Sequence, residues 1–221
     1  MRRVYGAIVV MAALAVGAPA AAQQAGHGPD EPIINLWYAG VSTGAAVAEK
    51  SSGFIGAEAG ARLWRNLDGV ASLSWTGNAA TGRQIDNIDR LATALGADGA
   101  STSGSIKMPV TYIGAGARWV FENSGRYRPY VLTTLGVART NLKPSLSVNG
   151  ANVAGDAAAH GVTLGRDLAG KYSRFGVEAG IGFLMGFGSW YVDVGGRIQS
   201  ISLEDHQVNV AKFALGGGYR F

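Results

Sequence analysis

The sequence predicts an all-β protein, an eight-stranded antiparallel up-and-down transmembrane β-barrel. Eight segments alternate apolar residues with polar residues or glycine at a period of two, which is the side-chain period of a β-strand. The connectors between these segments are short and long in turn, as expected when the two sets of turns lie on opposite sides of a membrane. The last segment, 208–221, ends on Phe221. An apolar strand at a chain end is a hazard in a soluble sheet, but not where it closes a barrel.

The first 22 residues predict a secretory signal peptide. Arg2 and Arg3 form a basic start, an apolar run follows from Val4 to Gly17, and Ala20 to Ala22 supply small residues for cleavage. The run is shorter than the roughly 20 residues that a spanning helix needs; the alternative is an uncleaved anchor. The predicted organisation is a signal peptide at 1–22, a short flexible periplasmic tail at 23–32 and the barrel domain at 33–221.

Composition supports a membrane barrel and excludes several other classes. No further stretch can form a spanning helix, so a membrane protein of this sequence must be a closed barrel. Glycine is abundant at 34 residues and charged residues are scarce at 15%. The formal net charge of +4 loses two with Arg2 and Arg3, and no basic stripe indicates binding to nucleic acid. Cysteine is absent, so disulfides and thiolate metal sites are excluded.

The first four predicted strands place apolar residues on one face and glycine or polar residues on the other. In the second strand, Ile55 and Leu63 share a face, whereas Glu58 and Arg62 lie on the opposite face. The lipid side of a membrane barrel requires the apolar face. These strands are predicted at 35–43, 54–64, 69–76 and 110–121.

The other four strands repeat the pattern. In the sixth, Val177 and Ile181 lie opposite Glu178 and Gly180. Most of the eight are close to the roughly 9–11 residues that a tilted strand needs to cross a bilayer, and eight is the smallest even number common in such barrels. The remaining strands are predicted at 130–139, 175–185, 190–201 and 208–221.

The connectors predict which end of the barrel faces the cell exterior. Outer loops are long and periplasmic turns are short in this kind of barrel. The short connectors are 65–68, 122–129 and 186–189, and the long ones are 77–109 and 140–172. Both termini are therefore expected in the periplasm. Within the long connectors, helical spacing of apolar residues predicts a short amphipathic helix at 84–95, and Asn149-Gly150 predicts a hairpin turn.

Tryptophans predict a membrane interface at the end where the termini lie. Trp64 and Trp119 end two strands, and Trp37 and Trp190 begin two others. In an up-and-down barrel all four lie at one rim, where amphipathic aromatic rings are favoured. Phe121, Tyr130 and Phe221 are expected at the same rim.

Several motifs resemble the small outer-membrane β-barrel proteins of the OmpA-type/opacity-protein superfamily. They are Trp37-Tyr38-Ala39-Gly40-Val41-Ser42, Arg128-Pro129-Tyr130-Val131-Leu132, Gly176-Val177-Glu178-Ala179-Gly180 and the ending Tyr219-Arg220-Phe221. The resemblance implies the outer membrane of a Gram-negative bacterium, with its lipids and lipopolysaccharide as neighbours. It also implies that Tyr219 and Phe221 form the signal read by the barrel-assembly machinery. These motifs are specific for the fold and poor guides to activity.

The inward faces of the predicted strands collect charges of both signs. A network of paired charges that fills the lumen is expected, because buried charges persist only when paired and an eight-stranded barrel is just wide enough for side chains to fill. The alternatives are a narrow porin-like conducting path or a proton-responsive gate, and a catalytic pair formed by Glu58 and Glu178. The inward charges are Glu58, Arg62, Arg118, Glu178, Asp193, Arg197, Lys212 and Arg220.

Histidine placement argues against an enzyme. The three histidines are His27, His160 and His206, and none lies on a predicted strand; a membrane-embedded acyl hydrolase of the His-Ser type needs one there. His206 with Glu204 and Asp205 is the best remaining candidate for a catalytic group. The same three residues could hold a divalent cation, but their spacing is not specific for a metal site. The sequence therefore predicts a non-enzymatic structural or surface-interaction protein without cofactor or metal, with long loops available to a surface ligand. A lipid-modifying enzyme and a soluble lipocalin-like ligand binder are the rivals.

Overall fold

The computed structural model describes residues 37–96, 99–121, 126–154, 168, 170–203 and 207–221. These residues form ten strands and one helix. In the first part of the chain the elements are β1 (Trp37–Val47), β2 (Ser51–Trp64), β3 (Leu67–Thr76), α1 (Gly82–Leu95), β4 (Thr102–Lys107) and β5 (Val110–Val120). The remainder are β6 (Tyr127–Val148), β7 (Ala151–Asn152), β8 (Gly170–Phe187), β9 (Trp190–Ser202) and β10 (Gln207–Arg220).

Eight of these strands close into an antiparallel ring. The order around the ring is β1-β2-β3-β5-β6-β8-β9-β10, and β10 returns to β1. The closing pair runs in register from Tyr38 opposite Arg220 to Val47 opposite Ala211. Each ring strand thus has a neighbour on both sides, which satisfies the backbone without leaving an edge. The predicted eight-stranded barrel is confirmed.

The two faces of the ring follow the alternation in the sequence. Along β1, Val41 is 69% exposed whereas Tyr38 is 6% exposed. Large apolar side chains such as Ile113, Ile181 and Phe213 lie on the outside of the ring and are exposed. An apolar exterior around a polar interior is the arrangement that lipid requires, and it is the reverse of a soluble ligand-binding calyx. No helix among the described residues is long and apolar enough to span a membrane.

Two strands extend well beyond their predicted ends. The predicted strand 130–139 is part of β6 (Tyr127–Val148), and 175–185 is part of β8 (Gly170–Phe187). The additional strand residues lie beyond the lipid-facing segment, where both faces of a strand can carry polar residues. The apolar alternation therefore fades there, although the backbone pairing continues from Val137 opposite Phe175 to Leu142 opposite Gly170.

Strand β4 lies in a connector that sequence periodicity leaves as a loop. It pairs with the extension of β6, from Thr102 opposite Val148 to Lys107 opposite Lys143, and so continues the line of β5 along the same edge. Pro109 separates β4 from β5, because proline cannot donate a ladder hydrogen bond. The resulting arm of β4, β6 and β8 rises above one end of the barrel.

The predicted amphipathic helix is confirmed as α1. Thr81 caps it, with a capping box in which the Thr81 hydroxyl accepts from the Gln84 backbone and the Gln84 side chain accepts from Thr81. Ile88 and Ala92 are buried. The helix lies so close to β4 that a Cβ at Gly104 would approach the carbonyl oxygen of Ile88 to 2.7 Å, so only glycine fits there.

The Asn149-Gly150 turn is also present. Asn149 has φ 50° and Gly150 has φ 84°, the left-handed pair that a two-residue hairpin turn requires. The turn joins β6 to the two-residue strand β7, with Val148 opposite Ala151.

Candidate functional site

The inside of the barrel holds a layer of eight charged side chains, which we name the lumen network. Six ring strands contribute to it, because each places one or two charged residues at an inward position of its alternation. Four members are acidic and four are basic, so the layer is formally neutral. The members are Glu58, Asp68, Glu178, Asp193, Arg62, Arg118, Arg197 and Lys212.

Arg118 organises one half of the network. Its Nη1 donates to Glu58 Oε1 at 2.8 Å, and its Nη2 donates to Asp68 Oδ2 at 3.2 Å. Asp68 also pairs with Arg62. The guanidinium of Arg118 lies 4.2 Å from the centre of the Tyr38 ring, a cation–π contact that is strengthened by the absence of water. Arg118 is 2% exposed, so its charge depends on these partners.

Arg197 organises the other half. Its Nη2 donates to Glu58 Oε2 at 3.2 Å and its Nη1 donates to Glu178 Oε1 at 3.4 Å, while Asp193 Oδ2 lies 3.6 Å away. Glu58 therefore accepts from both arginines through its two oxygens and joins the halves. These groups come from strands that are far apart in sequence, from β2 to β9.

Lys212 completes the layer. Its Nζ donates to Glu178 Oε2 at 2.7 Å and to Ser74 Oγ at 3.1 Å. Glu178 and Lys212 are both 1% exposed, so bulk solvent reaches neither group. Of all pairs in the network this one is the most isolated from solvent, and Glu178 is the single acidic partner that the structure gives to Lys212 among the described residues.

Four tyrosines surround the network, and one of them corrects a prediction. Tyr130, expected at the aromatic rim, faces the lumen at 2% exposure and donates to Asp193 at 2.8 Å. It lies in phase with the inward Thr134, whose hydroxyl pairs with that of Tyr112 at 2.9 Å. Parity along β6 thus overrides the general preference of aromatic residues for the interface.

The tyrosine rings need glycine beside them. A Cβ placed on Gly40 or Gly218 would lie 2.4 Å from the Tyr191 hydroxyl oxygen, and one on Gly182 or Gly195 would lie 2.7 Å from that of Tyr130. The inward glycines therefore do not leave the lumen open. Their missing side chains are the space into which the aromatic rings pack.

A small cavity borders the network. Its volume is about 10 Å³, which is close to the minimum for a single water molecule. Its lining is hydroxyl and charged: Ser42, Glu58, Ser72, Ser74, Glu178, Arg197 and Lys212 are among the residues around it.

An apolar layer lies between the network and the end of the barrel that carries the β4–β6 arm. Phe54, Tyr112 and Ile201 point into the barrel and are at most 3% exposed. Ile106 and Ile88 belong to the same packed cluster, so β4 and α1 cover the barrel mouth. The lumen is thus filled by charged side chains in the middle and by apolar ones toward this mouth.

The predicted rim aromatics lie together at the opposite end. Trp37, Trp64 and Trp190 are 63%, 70% and 63% exposed, and Trp119 is partly exposed, opposite Leu67. Tyr219 packs edge-on against Trp190, with ring centres 5.1 Å apart, and against Phe221 at 5.2 Å. The Phe221 backbone N–H donates to the Trp37 carbonyl at 2.9 Å, so the last residue is fastened to the first strand of the ring.

Asp68 is a lumen charge that the sequence analysis did not predict, and Arg220, which was predicted among the inward charges, is not part of the network. Asp68 precedes the predicted start of the third strand at 69, but β3 begins at Leu67; extending the alternation by one residue would have included Asp68 on the inward face. Arg220 lies apart from the network, with its guanidinium 5.4 Å from the centre of the Tyr191 ring.

The histidine candidates lie outside the described residues. This holds for His27, His160 and the group Glu204, Asp205 and His206. In the part of the chain that the structure describes, no group of three or more His, Cys, Asp or Glu side chains is arranged to hold a metal ion.

A comparison of the chain with protein families agrees with this architecture. The model of the outer membrane protein beta-barrel domain family matches residues 8–221. The chain belongs to this family. It lies in the outer membrane of a Gram-negative bacterium, which excludes the soluble lipocalin-like alternative. No curated protein matches the sequence.

Solved structures share the fold at low sequence identity. Neisserial surface protein A is 14% identical over 86% of this chain and 100% of its own, with a TM-score of 0.50. The attachment invasion locus protein Ail of Yersinia pestis is 14% identical over 84% of this chain and 97% of its own, with a TM-score of 0.44. The outer membrane enzyme PagL is 13% identical over 83% and 99%, with a TM-score of 0.42. At these identities the likeness concerns the fold alone.

Proposed function

We propose that this protein is a non-enzymatic outer-membrane barrel with a structural or surface-interaction role and a lumen closed to solutes. The single observation that carries the proposal is the lumen network, in which every acidic group is engaged by a cation. The cavity that borders it has room for about one water molecule. A route for solutes would need a continuous wet gap along the barrel axis.

The orientation is part of the proposal. The rim that carries Trp37, Trp64, Trp119 and Trp190 would lie at the periplasmic interface. Both termini of the barrel domain would be on that side, and the arm of β4, β6 and β8 with α1 would be outside the cell. Support comes from the gathering of these rings at one rim and from the long connectors at the other. A signal peptide at 1–22 would direct export, and Tyr219 with Phe221 would be read by the barrel-assembly machinery. Lipids and lipopolysaccharide would surround the barrel, and the long loops would face any surface ligand.

The absence of enzymatic activity is proposed from the chemistry of the lumen. A general base must be free to take a proton from a bound substrate. Glu58 and Glu178 each accept from two cations, which holds them as structural acceptors and leaves no space for a substrate between them. This argues against a catalytic carboxylate pair.

A narrow channel is the alternative function that one observation favours. The small cavity is bordered by three serines and by Lys212, so it is polar and adjoins the pair Glu178–Lys212. If this pair exchanged partners, the cavity would be the first place for water to enter. The channel would then depend on the network opening and would not exist in the paired state.

Two assays test the proposal. Liposomes that contain the purified protein should swell in isosmotic sugar no faster than protein-free liposomes, because the lumen is filled. Lipid A and phospholipid incubated with the protein should keep their masses. Swelling at the rate of a known porin would replace the closed barrel with a channel, and loss of an acyl chain from either lipid would replace the structural role with an enzymatic one.

A further inference from the structure

The outward faces of the described strands carry charge at one place only. Every other charged strand residue lies in inward phase, including those of the lumen network. The four outward charges are all cations, all exposed and all at the same end of the neighbouring strands β4, β6 and β8. We name them the basic patch: Lys107, Arg139, Lys143 and Lys171.

The register makes the patch compact. Lys107 is directly opposite Lys143 on the same face of the β4–β6 pair. Lys171 is opposite Asn141, which places it diagonally beside both Arg139 and Lys143, at about 7–8 Å between backbones. Four positive charges therefore lie close together on three neighbouring strands.

The patch begins where the lipid-facing surface ends. Leu135 and Val137 are each 54% exposed on the outward face of β6, and Phe175 is opposite Val137 at 56%. Arg139 is the next outward residue after Val137, about 7 Å further along the strand. The polar headgroup region of a bilayer is about 5–8 Å thick on each side. Arg139 thus lies at headgroup level, and Lys143, with Lys107 opposite it, lies about 13 Å further along the strand.

Within the part of the chain that the structure describes, no acidic side chain pairs with the patch. Like charges directly opposite on paired strands are destabilising, so the Lys107–Lys143 pair costs stability unless an anion lies between the two. A general affinity for membranes would need a belt of cations around the barrel, whereas these are confined to three neighbouring strands.

We propose that the basic patch is a binding site for the phosphate groups of a phosphorylated glycolipid in the outer leaflet, with the sugar headgroup against β4, β6 and β8 and the acyl chains against Val137 and Phe175. Arg139 would hold one phosphate through paired N–H donors. The facing lysines would hold a second phosphate as point charges. This site rests on the proposed orientation, in which this end of the barrel is outside.

The test measures binding of bisphosphorylated lipid A to the protein purified in a nonionic maltoside detergent. Each cation near an anionic lipid surface contributes about 1 kcal/mol, which is about fivefold in affinity. Lys107→Gln/Lys143→Gln should therefore weaken binding about thirtyfold. Lys50→Gln, an exposed change in the β1–β2 turn outside the patch, should leave the affinity unchanged. Without lipid, the double variant should unfold no earlier than the wild type, because a repulsive pair has been removed.

Ligand controls identify the source of the phosphate. Dephosphorylated lipid A should bind as weakly to the wild type as bisphosphorylated lipid A binds to the double variant. Inorganic phosphate at the same phosphate concentration should not compete, because it lacks the acyl chains. Equal affinity for the dephosphorylated lipid, or a double variant that binds like the wild type, would overturn the proposal. Because binding is measured in detergent, an inverted orientation in cells would contradict the proposed topology without altering this result.

Discussion

Removal of the Glu178 carboxylate should destabilise the barrel by kilocalories. Lys212 would lose its 2.7 Å anionic partner and keep Ser74 Oγ at 3.1 Å as its one described hydrogen-bond partner, whereas Arg197 would keep Glu58 and Asp193. The perturbation therefore strands one ammonium group that is 1% exposed. Breaking a buried pair on one side costs about 3–5 kcal/mol, and Glu178→Ala should lower the free energy of unfolding by about that amount.

A double variant separates the cost of the stranded charge from the loss of packing. Glu178→Ala/Lys212→Met removes both charges, so most of the penalty should disappear. Val177→Ala is the matched control: it truncates the adjacent residue on the outward face, which faces lipid and makes no ion pair, and it should cost about 0.5 kcal/mol or less. Urea unfolding in lipid vesicles, followed by tryptophan fluorescence and by heat-modifiable migration on gels, measures all three.

The reasoning would be refuted by one pattern of results. If Glu178→Ala unfolds at the urea concentration of the wild type, then Lys212 is not stranded, and water already reaches it. The double variant should in that case show no recovery. The lumen charges would then line an aqueous path and would not form a closed network.

Three further predictions concern assembly, topology and lumen packing. Deletion of Phe221 should abolish assembly but leave export intact, since the Phe221–Trp37 hydrogen bond and the aromatic contact with Tyr219 are lost with it; normal levels of folded protein in the outer membrane would contradict this. Protease sites inserted in 77–109 or 140–172 should be cut on intact cells and sites in 122–129 should not, and the reverse would invert the topology. Gly40→Ala should destabilise the barrel because its Cβ would lie 2.4 Å from the Tyr191 hydroxyl oxygen, and Tyr191→Phe should relieve much of this; Gly196→Ala, where a Cβ meets nothing within 4 Å, is the control, and an equal loss of stability in both alanine variants would show that ring packing is not the cause.

The barrel was predictable because lipid imposes a strict pattern on the residues that face it. Residues such as Val41, Ile113 and Ile181 must be apolar, and the chain between them must alternate. Where strands leave the lipid, this constraint ends. Strand β4 carries Ser103, Ser105 and Lys107 on its exposed face, a composition that is equally suitable for a loop, so its pairing with β6 could not be derived from periodicity.

The presence of charged side chains in the lumen was predictable, but the ion pairs that they form were not. Alternation identifies which charges point inward, but it contains no information about which strands lie opposite one another across the barrel. Glu58 meets Arg197 across 139 positions of sequence, and only ring closure brings them together. Tyr130 shows the related difficulty: its chemistry suits both an interface and a lumen, and its phase along β6 decides between them.

Single-channel recording in planar bilayers tests the central claim, a lumen closed by its own side chains, most directly. The wild-type protein should give no steady conductance above the bilayer background, because paired charges and buried apolar side chains occupy the lumen. Glu178→Ala should add brief openings by loosening the network. A steady, ion-selective conductance of the wild type, altered in its selectivity but not created by Glu178→Ala, would contradict the account and identify the protein as a channel.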